Sequence, residues 1–132
     1  MIKDLIQSAI DEESKPYWNG LKEEKLLIQC CGDCHQSIFY PRSICPHCFS
    51  EDISWQEAVG TGKIYSFTIV HQAFGPFKGE TPFVVGIVEL DEGVRMMTRI
   101  LGDRDLIAID NRVSVVFKTV EDDLVLPYFE VI

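Results

Sequence analysis

The sequence predicts a mainly β protein made of an N-terminal helical arm, a metal-bound ribbon and a small five-stranded antiparallel barrel. Three observations lead there. Two Cys-x-x-Cys pairs, Cys31-Gly-Asp-Cys34 and Cys45-Pro-His-Cys48, stand ten residues apart, the spacing at which two tight turns bring four thiolates onto one ion. From Lys63 onward, short runs rich in β-branched and aromatic residues alternate with polar turns, and no helical stretch interrupts them. Ahead of the cysteines, apolar residues recur at helical spacing.

Taken in order, Ile2, Leu5, Ile6, Ala9 and Ile10 form one face of a short amphipathic helix. Pro16 cannot continue that helix, and Tyr17, Trp18 and Leu21 are expected on a second one that ends near Gly20. These aromatics either cap a core or dock on a partner. Lys25 to Gln29 reads as the strand leading into the first cysteine turn, and Ile38-Phe-Tyr-Pro41 as the ribbon's hairpin. Trp55 is expected to pack the ribbon against the next part of the chain. The glycine pair Gly60-Thr-Gly62 marks the boundary, which divides the chain into a helical segment (1–24), a ribbon (25–59) and a barrel domain (60–132).

Five strands are predicted in the barrel: Ile64 to His71, Phe83 to Leu90, Val94 to Leu101, Val113 to Lys118 and Leu124 to Val131. Asp91-Glu-Gly93 and Glu121-Asp-Asp123 supply polar turns. In the first strand Tyr65, Phe67 and Ile69 are expected on one face and Ile64 and Val70 on the other. In the second, Phe83, Val85 and Ile87 oppose Val84, Val88 and Leu90. Apolar residues on both faces imply that something covers the outside of the barrel.

The totals bound the function. A net charge of −9 over 132 residues disfavours a general nucleic-acid binder, because such binding relies on neutralising phosphates. The longest apolar run, Phe83 to Val88, is far too short to span a bilayer, and the first residues do not read as a secretory signal. A cytoplasmic location is expected. Four of the five cysteines sit in the paired turns, which fits metal thiolates better than disulfides. Cys30 is left as a spare thiol.

Closed sulfur ligation by Cys31, Cys34, Cys45 and Cys48 fits structural zinc, and an iron centre satisfies the same geometry. With every position filled by protein sulfur, metal-assisted hydrolysis has no open site. Of the histidines, His35 and His47 adjoin the turns, and His71 ends a strand with no nucleophile or orienting carboxylate in its pattern. Gly60-Thr-Gly-Lys63 lacks the spacing of a phosphate loop. Arg95, Met97 and Arg99 share a face and, with Arg104, Lys63 and Lys78, are either a small basic patch or scattered surface cations.

The combined pattern resembles a known family. Leu26-Leu-Ile-Gln-Cys-Cys-Gly-Asp-Cys34, Tyr40-Pro-Arg42, Cys45-Pro-His-Cys48, Trp55, the stretch Gly60 to His71 and the stretch Pro82 to Arg95 look like the acyl-CoA-associated proteins that join a rubredoxin-like zinc ribbon to an OB-fold, the domain of unknown function thirty-five family. The resemblance implies a non-catalytic accessory or scaffold subunit beside a thiolase-like or other acyl-CoA enzyme, with an OB-fold that binds an acyl-CoA. In that role Tyr65, Phe67, His71, Phe74, Arg95 and Arg99 are the candidate ligand-contacting residues. Two departures stand out: His35 and Phe49 replace the family's glycine after each second cysteine, and Asp110-Asn111 lacks the glycine usual there, leaving Asn111 to take a left-handed turn. The rival reading is an OB-fold that binds single-stranded nucleic acid through Tyr65 and Phe67 as stacking platforms.

Overall fold

A computed structural model gives the fold of residues 2–121 and 124–132, with the side chains of Ile2, Lys3, Leu5 and Pro76 outside the description. Two helices open it, α1 (Ile2–Gln7) and α2 (Lys15–Lys22). The first is shorter than its apolar spacing suggests, and Ala9 and Ile10 lie beyond its end. Between the helices, Asp11 and Ser14 hold each other: the Ser14 amide donates to Asp11 Oδ1 at 2.9 Å and the Asp11 amide to Ser14 Oγ at 3.2 Å. Pro16 then sits in the first turn of α2, where its missing N–H costs nothing. The helix runs past Gly20 instead of ending there, because that glycine is a packing site. A Cβ on it would lie 2.9 Å from the Leu27 side chain. The end comes at Glu23 and Lys25, whose amides both close on the Gly20 carbonyl.

The ribbon is a three-stranded sheet of β1 (Leu27–Cys31), β2 (Ser37–Ile38) and β3 (Ile53–Glu57), in the order β2-β1-β3. Its first strand begins two residues later than Lys25 and runs into the cysteine turn itself. Five longer strands complete the chain: β4 (Thr61–Val70), β5 (Phe83–Leu90), β6 (Arg95–Leu101), β7 (Arg112–Glu121) and β8 (Leu124–Val131). They close into a barrel in the order β4-β5-β6-β8-β7. Gly93, at φ 95°, makes the β5–β6 turn. Asp122 and Asp123, expected at the last turn, lie outside the described residues. Two 3₁₀ turns, Gly75–Phe77 and Arg104–Leu106, interrupt the otherwise non-helical connections.

One seam is parallel. Five strands that alternate in direction place the third and the fifth pointing the same way, so a barrel that sets β6 beside β8 must join them in parallel, through Ile100↔Phe129 and Leu101↔Glu130. The other four seams are antiparallel, as expected of the barrel.

A bulge corrects the reading of the first barrel strand. Ile64 pairs with Val88 and Ser66 with Ile87, so Tyr65 is an extra residue, and an extra residue exchanges the inner and outer faces beyond it. Ile64 is buried before the bulge, Phe67 and Ile69 pack on the core after it, and Tyr65 and Ser66 both face solvent. Tyr65 and Phe67 therefore do not share a face. Gly86 opposes this region because a Cβ there would come within 2.8 Å of the Ser66 carbonyl. Near the fourth barrel strand it is Asp110, not Asn111, that takes the left-handed conformation, at φ 72°.

One core serves all three parts. Tyr17 and Leu21 from α2, Leu26 and Ile28 from the ribbon, and Ile64, Val88, Val113 and Phe129 from the barrel belong to a single buried cluster, with Trp55 packed against it. At the barrel's edge Arg112 donates to both oxygens of Asp91, at 2.8 and 2.9 Å, and the Thr61 hydroxyl bonds the same carboxylate. These bonds, Arg112 first, hold Asp91 at a pKa of about 2. A lowered carboxyl pKa contributes stability above its unfolded value, about 3.9, and loses it as pH falls through the folded value. Asp91→Asn should therefore be less stable than the parent at neutral pH, with the difference shrinking below about pH 4 and vanishing only once the pH is below about 2. Paired denaturant titrations across that range check this.

Candidate functional site: the metal cage and the outer barrel face

Each cysteine turn has the same construction. In the first, the His35 amide donates to the Cys31 carbonyl at 2.9 Å and the Cys34 amide approaches Cys31 Sγ at 3.5 Å; in the second, the Phe49 amide donates to the Cys45 carbonyl at 2.9 Å and the His47 amide approaches Cys45 Sγ at 3.4 Å. Both turns end in a left-handed residue, His35 at φ 63° and Phe49 at φ 64°. The glycine-less turns keep the geometry glycine would give. Gln29, buried in β1, binds the Arg42 backbone at both ends of its amide, at 2.7 and 2.9 Å, which fixes the loop between the turns.

The four Sγ atoms of Cys31, Cys34, Cys45 and Cys48 lie within 4.8 Å of one another, with Cys31–Cys48 at 3.6 Å and Cys34–Cys45 at 3.7 Å. Tetrahedral metal–sulfur bonds of about 2.3 Å require sulfurs about 3.8 Å apart. The residues fit the ion. Their ionisation is split: the Cys34 amide and then the Asp33 amide bring the Cys31 thiol down to about 6, whereas the Cys34 thiol is raised, the Gln36 amide being outweighed by burial and by the Cys31 and Cys45 sulfurs. At Cys48 the Ser50 amide lowers the pKa, but burial and the three neighbouring sulfurs outweigh it and push the thiol up to about 12. A cation at the centre removes that opposition. Cys30 lies outside the cluster, its sulfur 3.8 Å from the Cys31 carbonyl.

The candidate ligand residues do not form one constellation. On the outer face of β5 and β6, Ile87 pairs with Met97 and Val85 with Arg99. Met97 is 72% exposed, and an arginine stands on either side of it. Arg95 lies 3.8 Å from the Tyr65 ring centroid and donates to Glu89 at 3.0 Å; Arg99 lies 4.0 Å from the Phe83 ring and donates to Glu80 at 2.9 Å. Tyr65, Arg95, Met97 and Arg99 thus line one surface. Phe67 is turned to the core, which leaves Tyr65 without the second stacking platform of the nucleic-acid reading. His71 is exposed just past the end of β4, and Phe74 is 86% exposed on the loop beyond it.

Two depressions flank this surface. One, about 640 Å³, lies between the ribbon and the β5–β6 turn and gathers His35, Arg42, His47, Glu92 and Arg95. Glu92 accepts from the Val59 amide at 2.8 Å through one oxygen, and its other oxygen is buried without a partner among the described residues. The other, about 360 Å³, is lined by Tyr17, Trp18, Phe39 and Tyr40 on one side and by β6 and β8 on the other. No sequence signal announces this cleft, since its residues come from four separated segments. Among the described residues, no helix is long and apolar enough to cross a membrane.

A closed four-cysteine cage on a three-stranded ribbon, joined to a five-stranded barrel with one parallel seam, defines a rubredoxin-like zinc ribbon carried on an OB-fold. Family models agree: residues 18–54 match the ChsH2 rubredoxin-like zinc ribbon domain and residues 55–118 the ChsH2 C-terminal OB-fold domain. The chain belongs to the DUF35 family. A DUF35 domain-containing scaffold protein of Methanocaldococcus jannaschii is 32% identical, over 80% of this chain and 77% of its own length. A probable enoyl-CoA hydratase alpha subunit of Thermomonospora curvata is 36% identical over 92% of this chain, which spans 38% of that subunit's length. The benzoylsuccinyl-CoA thiolase subunit BbsA of Thauera aromatica is 28% identical over 91% of this chain and 76% of its own length. Among solved structures, a chain of the Ltp2-ChsH2(DUF35) aldolase superposes with a TM-score of 0.84 at 35% identity, covering 93% of this chain and 97% of that one.

Phe49 is 80% exposed, so its side chain contributes little packing while its backbone is left-handed. Phe49→Gly should raise the unfolding free energy of the metal-loaded protein by up to about 1 kcal/mol, read by denaturant titration. Cys31→Ser should instead cost the metal and the ribbon's protection from hydrogen exchange together.

Proposed function

We propose that this chain is a non-catalytic accessory subunit that binds an acyl-CoA and acts beside a thiolase-like or related acyl-CoA enzyme in the cytoplasm, with zinc in its four-cysteine cage. The observation that carries the reading is the outer face of β5 and β6. There Met97 and Ile87, continued by Val85 opposite Arg99, form an apolar strip with Arg95 and Arg99 on either side of Met97, suited to a ligand that is apolar along its length and anionic at one end. The relatives support it, since they are named as a scaffold or as subunits of CoA-dependent enzymes. The cage, filled by four sulfurs, serves to hold the ribbon on the barrel. Arg95, which lines the larger depression together with Arg42, is the residue we assign to the nucleotide phosphates. Tyr65 and Arg99 flank the strip, and we assign His71 and Phe74, exposed past the end of β4, to the same ligand. The helical segment 1–24 is the part most suited to a partner's surface, because a helix as short as α1 gains stability only from packing.

Isolation of the protein from its native cell, followed by mass spectrometry, tests the reading. A CoA-dependent enzyme should accompany it, and the complex should bind CoA. Finding neither such a partner nor CoA binding would overturn the proposal. Within a binding-competent complex, Arg95→Ala should weaken CoA about tenfold, the loss expected for one charged hydrogen bond, and leave the metal content unchanged.

A further inference from the structure

We infer that the seam between β6 and β8 is a slot for the pantetheine arm of the acyl-CoA, with the backbone of Met97 as its hydrogen-bonding edge. This rests on the acyl-CoA reading above and adds the place and manner of binding. The Leu90 amide donates to the Val94 carbonyl at 2.8 Å, and Glu89 pairs with Arg95, Val88 with Met96 and Ile87 with Met97. Hydrogen-bonded and non-bonded pairs alternate along an antiparallel ladder. Met96 and Thr98 therefore bond to β5, and the N–H and C=O of Met97 turn the other way, toward β8.

Among the described residues, no ladder meets them. Pairing between β6 and β8 is confined to Ile100↔Phe129 and Leu101↔Glu130, and two residues before Phe129 on β8 stands Pro127. The Ile132 amide donates to the Arg112 carbonyl at 3.1 Å, which sets the alternation on β8 and turns Pro127 toward β6. Proline has no N–H to offer the Met97 carbonyl. Its own carbonyl accepts from the Thr98 hydroxyl at 3.0 Å, a side-chain contact that bridges the seam one residue beyond Met97. The backbone ladder therefore stops short of Met97, and the 360 Å³ cleft lies along that edge.

The slot's chemistry selects its occupant. A backbone donor and acceptor lie at one edge, and the remaining walls are largely aromatic or apolar, including Tyr17, Phe39 and Tyr128. Trp18 adds an indole N–H that is buried and unpartnered among the described residues. Arg99 also lines the cleft, but Glu80 already holds it at 2.9 Å, so a nucleotide or another polyanion would leave most of its charge unpaired in a largely apolar groove. An uncharged, extended chain with secondary amides along it matches the open peptide edge, and pantetheine is such a chain, with two amides ahead of its sulfur.

The test titrates the full metal-loaded chain, and its complex with the native partner, with pantetheine, adenosine 3′,5′-bisphosphate and CoA, read by amide and indole NMR shifts and by calorimetry. Pantetheine should shift the Met97, Arg99 and Trp18 N–H resonances saturably, and the bisphosphate should not. Pro127→Ala restores the missing N–H, so it should zip the seam and weaken pantetheine at least tenfold while sparing the bisphosphate. If CoA binds but the pantetheine shifts map elsewhere, or Pro127→Ala binds pantetheine as the parent does, the slot is wrong and the acyl-CoA reading survives. If CoA binds to neither the chain nor the complex, both fall. Should Pro127→Ala fail to fold, the map on the parent protein decides.

Discussion

Four sulfurs gathered within 4.8 Å are the constraint on which the rest depends, because thiolates at that distance repel unless a cation sits among them. The ribbon's private core is only Cys31, Ile38 and Cys45, with Cys34 and Ile53 against it, far too little apolar area to hold three short strands. Metal ligation supplies what packing cannot. Once the sheet is held, its other face presents Leu26 and Ile28 to α2 and the barrel, and these side chains complete the common core. Loss of the metal is thus felt beyond the cage, in the placement of α2 and in the cleft that α2 and Phe39 roof.

A second constraint is topological. Closing five alternating strands in the order found forces one parallel seam, and that seam has the shortest ladder of the barrel, with two paired residues on each side. At the opposite wall a single bulge at Tyr65 keeps Ile64, Phe67 and Ile69 all on the core side. Both irregularities act on the outer surface. The bulge sends Tyr65 outward to meet Arg95, and the short ladder stops before the backbone of Met97.

Much of this is legible in the sequence. The cysteine spacing locates the cage, the runs of β-branched residues locate five strands, and the limits of the second and fifth coincide with those observed, Phe83–Leu90 and Leu124–Val131. What escapes is non-local. Strict alternation assigns faces correctly only until an extra residue intervenes, so it sets Phe67 wrongly beside Tyr65. Gly20 resembles a helix end because its role, contact with Leu27 across a turn, depends on a strand folding back. Arg95 and Arg99 are legible as neighbours on one face, but their carboxylate partners, Glu89 across the ladder and Glu80 from a loop, are not.

Those partners shape how an acidic chain meets an anionic ligand. Arg95, Arg99 and Arg112 each carry a carboxylate at 3.0 Å or less, and the net charge is −9. The cations are therefore largely neutralised before any phosphate arrives, and the field of the whole chain opposes its approach. On the proposed acyl-CoA reading, apolar burial would have to supply most of the affinity, with the arginines fixing orientation. The same field favours a partner with a basic docking surface, because complementary charge speeds encounter and rejects wrong partners. A basic partner would also offset the charge that opposes the nucleotide, so that ligand and partner each improve the site for the other, as linkage between two binding events requires.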